Sequence, residues 1–138
     1  MVIFVGAALA STAAAASGIE RVPPVGDTTT AKECGECHMA FQPALLPAES
    51  WMRIMDGLKD HFGDDASLPA DVAASIRGYL AAHAGRTGDP EVIRITEQPR
   101  FIKEHRYPPS VWQRPEIRAK SNCLACHPRA EQGIYDDD

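Results

Sequence analysis

The chain has 138 residues, of which 44% are hydrophobic, 24% charged and 7% aromatic, and this length predicts one domain rather than two. Its net charge of −5, from 14 basic and 19 acidic side chains, argues against a nucleic-acid-binding surface. The ten glycines and eleven prolines predict a loop-rich domain, and a small domain of this kind often needs a staple, a metal or a cofactor to complete its interior.

An apolar, alanine-rich stretch occupies residues 1–16, and Ala14-Ala15-Ala16 offers a cleavage site for a signal peptidase. We therefore expect 1–16 to be a secretory leader and 17–138 to form a single domain in the periplasm. A short buried helix is the alternative for the leader. No run of the sequence reaches the roughly 18 apolar residues of a membrane span. In an oxidising compartment four cysteines would ordinarily form disulfides, but their spacing indicates otherwise.

Cys34, Cys37 and His38 form a C-x-x-C-H motif, the attachment signature of a c-type haem. On a helical turn the two cysteines lie on one face, so both thiols can reach the two vinyl groups on one edge of a porphyrin. The histidine follows on the same face and can direct a ring nitrogen at the iron. We predict covalent attachment through the cysteines and axial ligation by His38.

Residues 50–62 predict an amphipathic helix, because apolar side chains recur at three- and four-residue steps and Ser50 suits the N-cap. His61 falls on the apolar face of this helix and is a candidate for the second axial ligand. Methionine is the alternative ligand type, and Met55 is expected to pack rather than ligate. The methionine candidates are Met39, Met52 and Met55.

A second helix is predicted over about 69–84, with Ser67 as its N-cap and Gly85 as its stop. His83 continues the apolar face of this helix but lies in its last turn. A histidine at that position often contacts helix carbonyls or solvent, so His83 is the weaker ligand candidate.

A short helical piece is predicted over 97–105, where Phe101 precedes His105 by one turn. The two rings then share a side, which suits an imidazole packed against a porphyrin, and His105 is the third ligand candidate. Each haem could take both ligands from its own end of the chain, although crossed pairing stays open.

Cys123, Cys126 and His127 repeat the attachment motif. A zinc ribbon also pairs two C-x-x-C motifs, but its halves usually lie about 15–20 residues apart, much closer than these. A thioredoxin-like dithiol would need a βαβ pattern, and structural disulfides give no reason for two histidines. The sequence therefore predicts two covalent haems. The acidic end, residues 136–138, is expected to be solvated, or alternatively to steer a basic partner.

The sequence resembles the small dihaem cytochrome c family, exported bacterial electron carriers, over residues 32–138. The resemblance implies two low-potential c-type haems, each bound by two histidines, with His61 and His105 on the family's motif histidines. It also implies an oxygen-binding monohaem c-type cytochrome as acceptor and a membrane cytochrome as donor. The matching residues are the two C-x-x-C-H motifs, Leu46-Pro47-Ala48, Ser50-Trp51, His61-Phe62-Gly63, Phe101, His105, Trp112, Asn122 and Gly133.

The predicted fold is mainly α, with three or four helices and long loops wrapped around two haems. A haem with histidine on both faces has no vacant site, so the predicted function is electron transfer rather than enzyme catalysis. The alternative is a small dihaem peroxidase or a gas-binding haem protein, and either would need one open iron.

Overall fold

The computed structural model describes residues 21–136. Over this range the chain is mainly helical, as predicted, with three isolated β-bridges and no strand. No helix in the described range is long and apolar enough to cross a membrane. The predicted leader, 1–16, lies outside the described residues. The α-helices are α1 (Thr28–Gly35), α2 (Ala48–Asp56), α3 (Ala70–His83), α4 (Pro99–Glu104) and α5 (Pro109–Trp112), and short 3₁₀ turns lie at Pro43–Leu45, Leu58–Asp60, Ile95–Glu97, Cys123–Ala125 and Ala130–Gln132.

The main hydrophobic core lies between α2 and α3. Its buried side chains are Leu46, Trp51, Ile54, Ile76 and Leu80. The Trp51 indole also donates a hydrogen bond of 2.8 Å to the Pro43 carbonyl, which satisfies its one polar group. Burying side chains of this size contributes roughly 1.5–3 kcal/mol each, so this helix pair is the best-supported part of the described fold.

The first predicted helix is shorter than expected and begins earlier. α2 ends at Asp56 because Gly57 follows, and the Gly57 amide closes the helix on the Arg53 and Ile54 carbonyls. Pro47 is the N-cap, whereas Ser50 lies inside the helix and donates 2.8 Å to the Val92 carbonyl. The prediction that His61 lies on the apolar face of this helix is therefore wrong, since the residue sits in the loop beyond it.

The second predicted helix is confirmed as α3, with Pro69 rather than Ser67 at its N-cap. Gly85 follows closely, where the chain passes against the Pro43–Leu45 turn. A Cβ atom at this position would lie 2.5 Å from the Ala44 carbonyl oxygen, so only glycine fits here.

The remaining helices include one predicted and two unpredicted elements. α4 corresponds to the helical piece predicted over 97–105, and it starts with a proline at its first position. α1 begins at the Asp27 N-cap, whose carboxylate accepts a 2.7 Å bond from the Thr30 amide. α5 lies where the prolines at 108 and 109 alone would indicate a rigid loop.

Gly133→Ala is expected to destabilise the fold by about 2–4 kcal/mol. Gly133 adopts a φ of 75°, and its added Cβ would overlap the Val22 carbonyl oxygen. The Val22 amide donates 2.8 Å to the Gly133 carbonyl, so the clash would break the contact between the two ends of the described chain. Urea unfolding measures the loss.

Gly78→Ala is the matched control, because an added Cβ there meets nothing within 4 Å. Gly78 lies inside α3, so the alanine should stabilise the helix by about 0.5–1 kcal/mol. Equal midpoints for the Gly133 variant and the parent protein would contradict the predicted clash.

Candidate functional site

The first C-x-x-C-H motif lies at the end of α1. Cys34 is in the last helical turn and half-buried, whereas Cys37 lies beyond the helix and is exposed. Burial, followed by the negative charge of Glu33, raises the pKa of the Cys34 thiol. The thiol is therefore protonated near neutral pH and is not an activated nucleophile.

The imidazole rings of His38 and His61 lie close to each other. Their ring centroids are 6.2 Å apart and their planes differ by 24°. The Nδ1 atom of His38 lies 2.7 Å from the Met39 carbonyl oxygen and must donate to it, which leaves Nε2 available. The His61 main chain is held by a 2.7 Å bond to the Asp64 carbonyl. Two sequence-predicted ligands are thus brought together from loops that follow α1 and α2.

Burial, with a smaller effect from nearby His38, lowers the pKa of His61. The imidazole is consequently neutral at physiological pH, and only the neutral ring has a lone pair for a metal. Apolar rings flank the pair: Phe41 lies 5.0 Å from the His38 ring and Phe62 lies 4.8 Å from the His61 ring.

The second C-x-x-C-H motif forms a 3₁₀ turn at Cys123–Ala125 instead of an α-helical turn. The Asn122 side chain donates 3.0 Å to the Ile117 carbonyl, and the His127 amide donates 2.8 Å to the Cys123 carbonyl. These bonds hold the segment that carries both cysteines and the histidine in a tight turn. Burial raises the pKa of the Cys123 thiol to about 11, so this thiol is also protonated at neutral pH.

His105 and His127 form a second pair, again with ring centroids 6.2 Å apart but with planes at 80°. His105 ends α4, where it stacks on Phe101 at 3.9 Å and 8°, and its Nδ1 lies 3.0 Å from the Phe101 carbonyl oxygen. That carbonyl fixes the tautomer and leaves Nε2 of His105 available, as at His38. Trp112 lies 6.3 Å from the His105 ring.

A cavity of about 500 Å³ surrounds the second pair. Its walls combine both cysteines of the second motif with aromatic rings and with basic side chains suited to carboxylates. Arg100 lines this cavity, and its guanidinium suits bidentate contact with a carboxylate. The aromatic and basic residues in the lining are Phe101, Tyr107, Trp112, Tyr135, Arg100, Lys103 and Lys120.

The ring separation in both histidine pairs is the one expected for two imidazoles on opposite sides of a single metal ion. An imidazole nitrogen binds such an ion at about 2.0–2.1 Å and lies roughly 1.1 Å from its ring centroid, so opposed rings would have centroids about 6.3 Å apart. The observed separation of 6.2 Å in both pairs matches this value. His127 Nδ1 is buried without a hydrogen-bond partner among the described residues.

A zinc site is not supported in the described range. Residues 21–136 contain no group of three or more His, Cys, Asp or Glu that could hold a metal ion by itself, whereas a structural zinc needs four protein ligands. A haem iron takes four nitrogens from the porphyrin and needs only two from the protein. No disulfide joins any of the four cysteines, so all four are available for thioether attachment.

The other ligand candidates lie elsewhere. His83 is exposed, stacks 4.5 Å from Tyr79 and contacts the Tyr79 carbonyl at 2.9 Å. A second cavity of about 570 Å³ adjoins His83 but contains no cysteine. Met52 and Met55 pack against the α2–α3 core, and Met39 is itself buried.

Gln42 links the two sites and was not found by sequence reasoning. Its side chain is fully buried, donates 2.7 Å to the Ala130 carbonyl and accepts a 2.5 Å bond from the Tyr135 hydroxyl. The Tyr135 ring packs edge-on 5.6 Å from His127. The only local signal was a glutamine near the first motif, because its partners lie about 90 residues away in sequence.

The acidic end is partly folded. Asp136 pairs with Arg21 at 3.3 Å and with Arg129 at 3.0 Å, so this residue is not a free solvated charge. Asp137 and Asp138 lie outside the described residues.

Comparison with known proteins decides the family. The sequence model described as dihaem cytochrome c matches residues 30–135. The chain belongs to the dihaem cytochrome c family. This membership shows two covalently bound haem c groups with iron, and it indicates an electron-transfer function.

Solved structures of dihaem cytochromes c share the fold. A crystal structure of DHC purified from Rhodobacter sphaeroides is 42% identical, with a TM-score of 0.74, and the match covers 80% of this chain and 98% of that chain. A second structure of a dihaem cytochrome c from the same organism is 38% identical with a TM-score of 0.74, covering 82% and 99%. A dihaem cytochrome type c from Shewanella baltica OS155 is 42% identical with a TM-score of 0.72, covering 79% and 86%. The comparison with curated proteins gives no match.

Proposed function

We propose that the protein relays electrons through two low-potential c-type haems, each ligated by two histidines. Cys34 and Cys37 would hold one haem, and Cys123 and Cys126 the other. The observation that carries the proposal is the pairing of His38 with His61 and of His105 with His127 at 6.2 Å. A haem bound in this way supplies one-electron exchange without bond-making at the iron.

The chain's own residues would tune this exchange. Imidazole ligands on both faces favour ferric iron more than a methionine thioether does, which lowers the reduction potential. The Met39 and Phe101 carbonyls accept from the Nδ1 atoms of His38 and His105, which raises the basicity of these ligands. The exposure of Cys37 and Cys126 places each attachment edge near water, where charged ferric haem is favoured further.

The proposed cellular setting is the periplasm, with 1–16 removed as a leader and 17–138 acting as one dihaem domain. The proposed acceptor is an oxygen-binding monohaem c-type cytochrome, and the proposed donor is a membrane cytochrome. Both partners come from the family resemblance, and irons ligated by two histidines each would suit a carrier that works between them.

Carbon monoxide tests whether the irons are closed. The dithionite-reduced protein is expected to show no change in its Soret band on saturation with CO, because both axial positions are taken. A monohaem protein with an open iron serves as the positive control for CO binding. Stoichiometric CO binding to either haem would replace the proposal with the competing peroxidase or gas-binding function.

The two haems are expected to differ in their electron paramagnetic resonance spectra. Near-parallel imidazole planes, as at His38 and His61 (24°), split the energies of the two iron d orbitals with which they overlap. This splitting gives a rhombic three-line signal. Near-perpendicular planes, as at His105 and His127 (80°), leave these orbitals nearly equal, which gives one line at high g value. The oxidised protein should show both signals in equal amounts, and His105→Met should remove only the high-g line. Two identical rhombic signals would contradict the assigned geometry.

A further inference from the structure

The imidazole of His127 is not held in the same way as those of His38 and His105. Nδ1 of His38 lies 2.7 Å from the Met39 carbonyl oxygen, and Nδ1 of His105 lies 3.0 Å from the Phe101 carbonyl oxygen. Such a bond fixes the plane of the ring. Nδ1 of His127 is buried and has no hydrogen-bond partner in the described part of the chain. Packing must therefore fix this plane, because the last side-chain torsion of a histidine has broad minima.

The surroundings of His127 Nδ1 are set by the protein and not by the haem cavity. The His127 ring lines the cavity of about 500 Å³, and a ring atom that faced this cavity would be accessible to water. Nδ1 is buried, so it faces the protein interior, and Nε2 is the nitrogen left for the iron. A haem in the cavity would consequently offer Nδ1 no partner.

The Tyr135 ring packs against this imidazole. The two ring centroids are 5.6 Å apart, and the planes of Tyr135 and His127 differ by 69°. Edge-to-face contacts of this kind favour one relative orientation of the two rings. Rotation of the His127 ring out of its plane would lose this contact.

Tyr135 is itself held at its hydroxyl end. The hydroxyl donates a 2.5 Å bond to Oε1 of Gln42, and Nε2 of Gln42 donates 2.7 Å to the Ala130 carbonyl. Gln42 is fully buried, so water does not compete for these bonds. Neither Gln42 nor Ala130 lines the cavity, so this anchor does not depend on the haem.

We propose that Tyr135, anchored by Gln42, is the positioning residue that sets the plane of the His127 imidazole. The angle of 80° between the His105 and His127 planes is then maintained by a carbonyl on one side and by an aromatic ring on the other. This inference rests on the proposed function, in which both histidines ligate the second haem. Because the ligand planes affect the energies of the iron d orbitals, Tyr135 keeps the second haem electronically distinct from the first.

The test is electron paramagnetic resonance of the intact, oxidised dihaem protein, in which the high-g line reports the second haem. Tyr135→Leu removes the ring beside His127, so this line should lose about half or more of its amplitude at the parental g value. Tyr135→Phe keeps the ring and loses only the bond to Gln42, so the line should stay at that g value and broaden. Gln42→Leu removes the same bond from the other side and should match Tyr135→Phe. The rhombic signal of the first haem should be unchanged in all three variants.

The matched control is Tyr107→Leu. The Tyr107 ring also packs edge-on against a ligand of the second haem, at 6.3 Å and 76° from the His105 ring. The Phe101 carbonyl holds the plane of His105, so the loss of Tyr107 should leave the high-g line in place. Unchanged optical spectra of both haems show that each variant is folded.

Four results would overturn the positioning role of Tyr135. They are a high-g line that Tyr135→Leu leaves unchanged, an equal loss in Tyr107→Leu, parental line widths in both Tyr135→Phe and Gln42→Leu, and a parent protein without a high-g line. Failure of this role alone would leave both haems closed to CO and able to exchange electrons with small reagents. It is therefore distinguishable from failure of the proposed function, which CO binding would show.

Discussion

His61→Met and His105→Met are each expected to raise the reduction potential of one haem by on the order of 0.1 V, a modest part of the roughly 0.8 V that axial ligands give to haems. The thioether stabilises ferrous iron relative to imidazole, and its sulfur should add a weak near-infrared band to the oxidised spectrum. Spectroelectrochemical titration resolves the two haems and measures each shift.

His83→Met is the matched control, because His83 is exposed at the end of α3 and contacts the Tyr79 carbonyl. Neither potential and neither optical spectrum should change in this variant. If His83→Met alone altered the coordination, or if His61→Met left both potentials in place, the proposed ligand set would be wrong.

Removing both cysteines of the second motif, Cys123→Ala with Cys126→Ala, is expected to unfold residues 99–129 locally. In this range Ile117 is the only large side chain that is buried, and the cavity of about 500 Å³ would lose its covalently held occupant. Hydrogen exchange should show amide protection in 99–129 falling by on the order of 100-fold, whereas α2 and α3 keep theirs.

The matched variant is Cys34→Ala with Cys37→Ala. The five buried side chains between α2 and α3 do not depend on the first motif, so protection in these helices should largely persist. Loss of protection throughout the chain in the second-motif variant would show a single cooperative unit and contradict the local unfolding.

Strong local signals made part of this molecule predictable from sequence. The two C-x-x-C-H motifs indicate haem attachment because the chemistry requires that spacing, and family membership shows the two haems. α3 was predicted because the apolar periodicity and the position of Gly85 both indicate a helix that ends before this glycine. Trp51 packs in the hydrophobic core.

The errors arise where tertiary contacts override local pattern. The apolar periodicity of 50–62 continues past Gly57, but the helix does not. The Gly57 amide closes α2, and the His61 amide donates to the Asp64 carbonyl instead. The second motif forms a 3₁₀ turn that the attachment spacing alone did not distinguish from an α-helical turn. The pairing of His105 with His127 depends on how the chain folds in space, although the sequence alone identified both histidines as ligand candidates.

Gln42 gives the molecule a mechanical property that follows from its position. It lies four residues after His38 and binds the carbonyl of Ala130, three residues after His127, so one buried amide clamps the two attachment segments together. The two haem-attachment segments are therefore held at a fixed separation and do not move independently. The rate of internal charge hopping should accordingly be insensitive to solvent viscosity, since no diffusive motion is needed to bring the redox centres within tunnelling range.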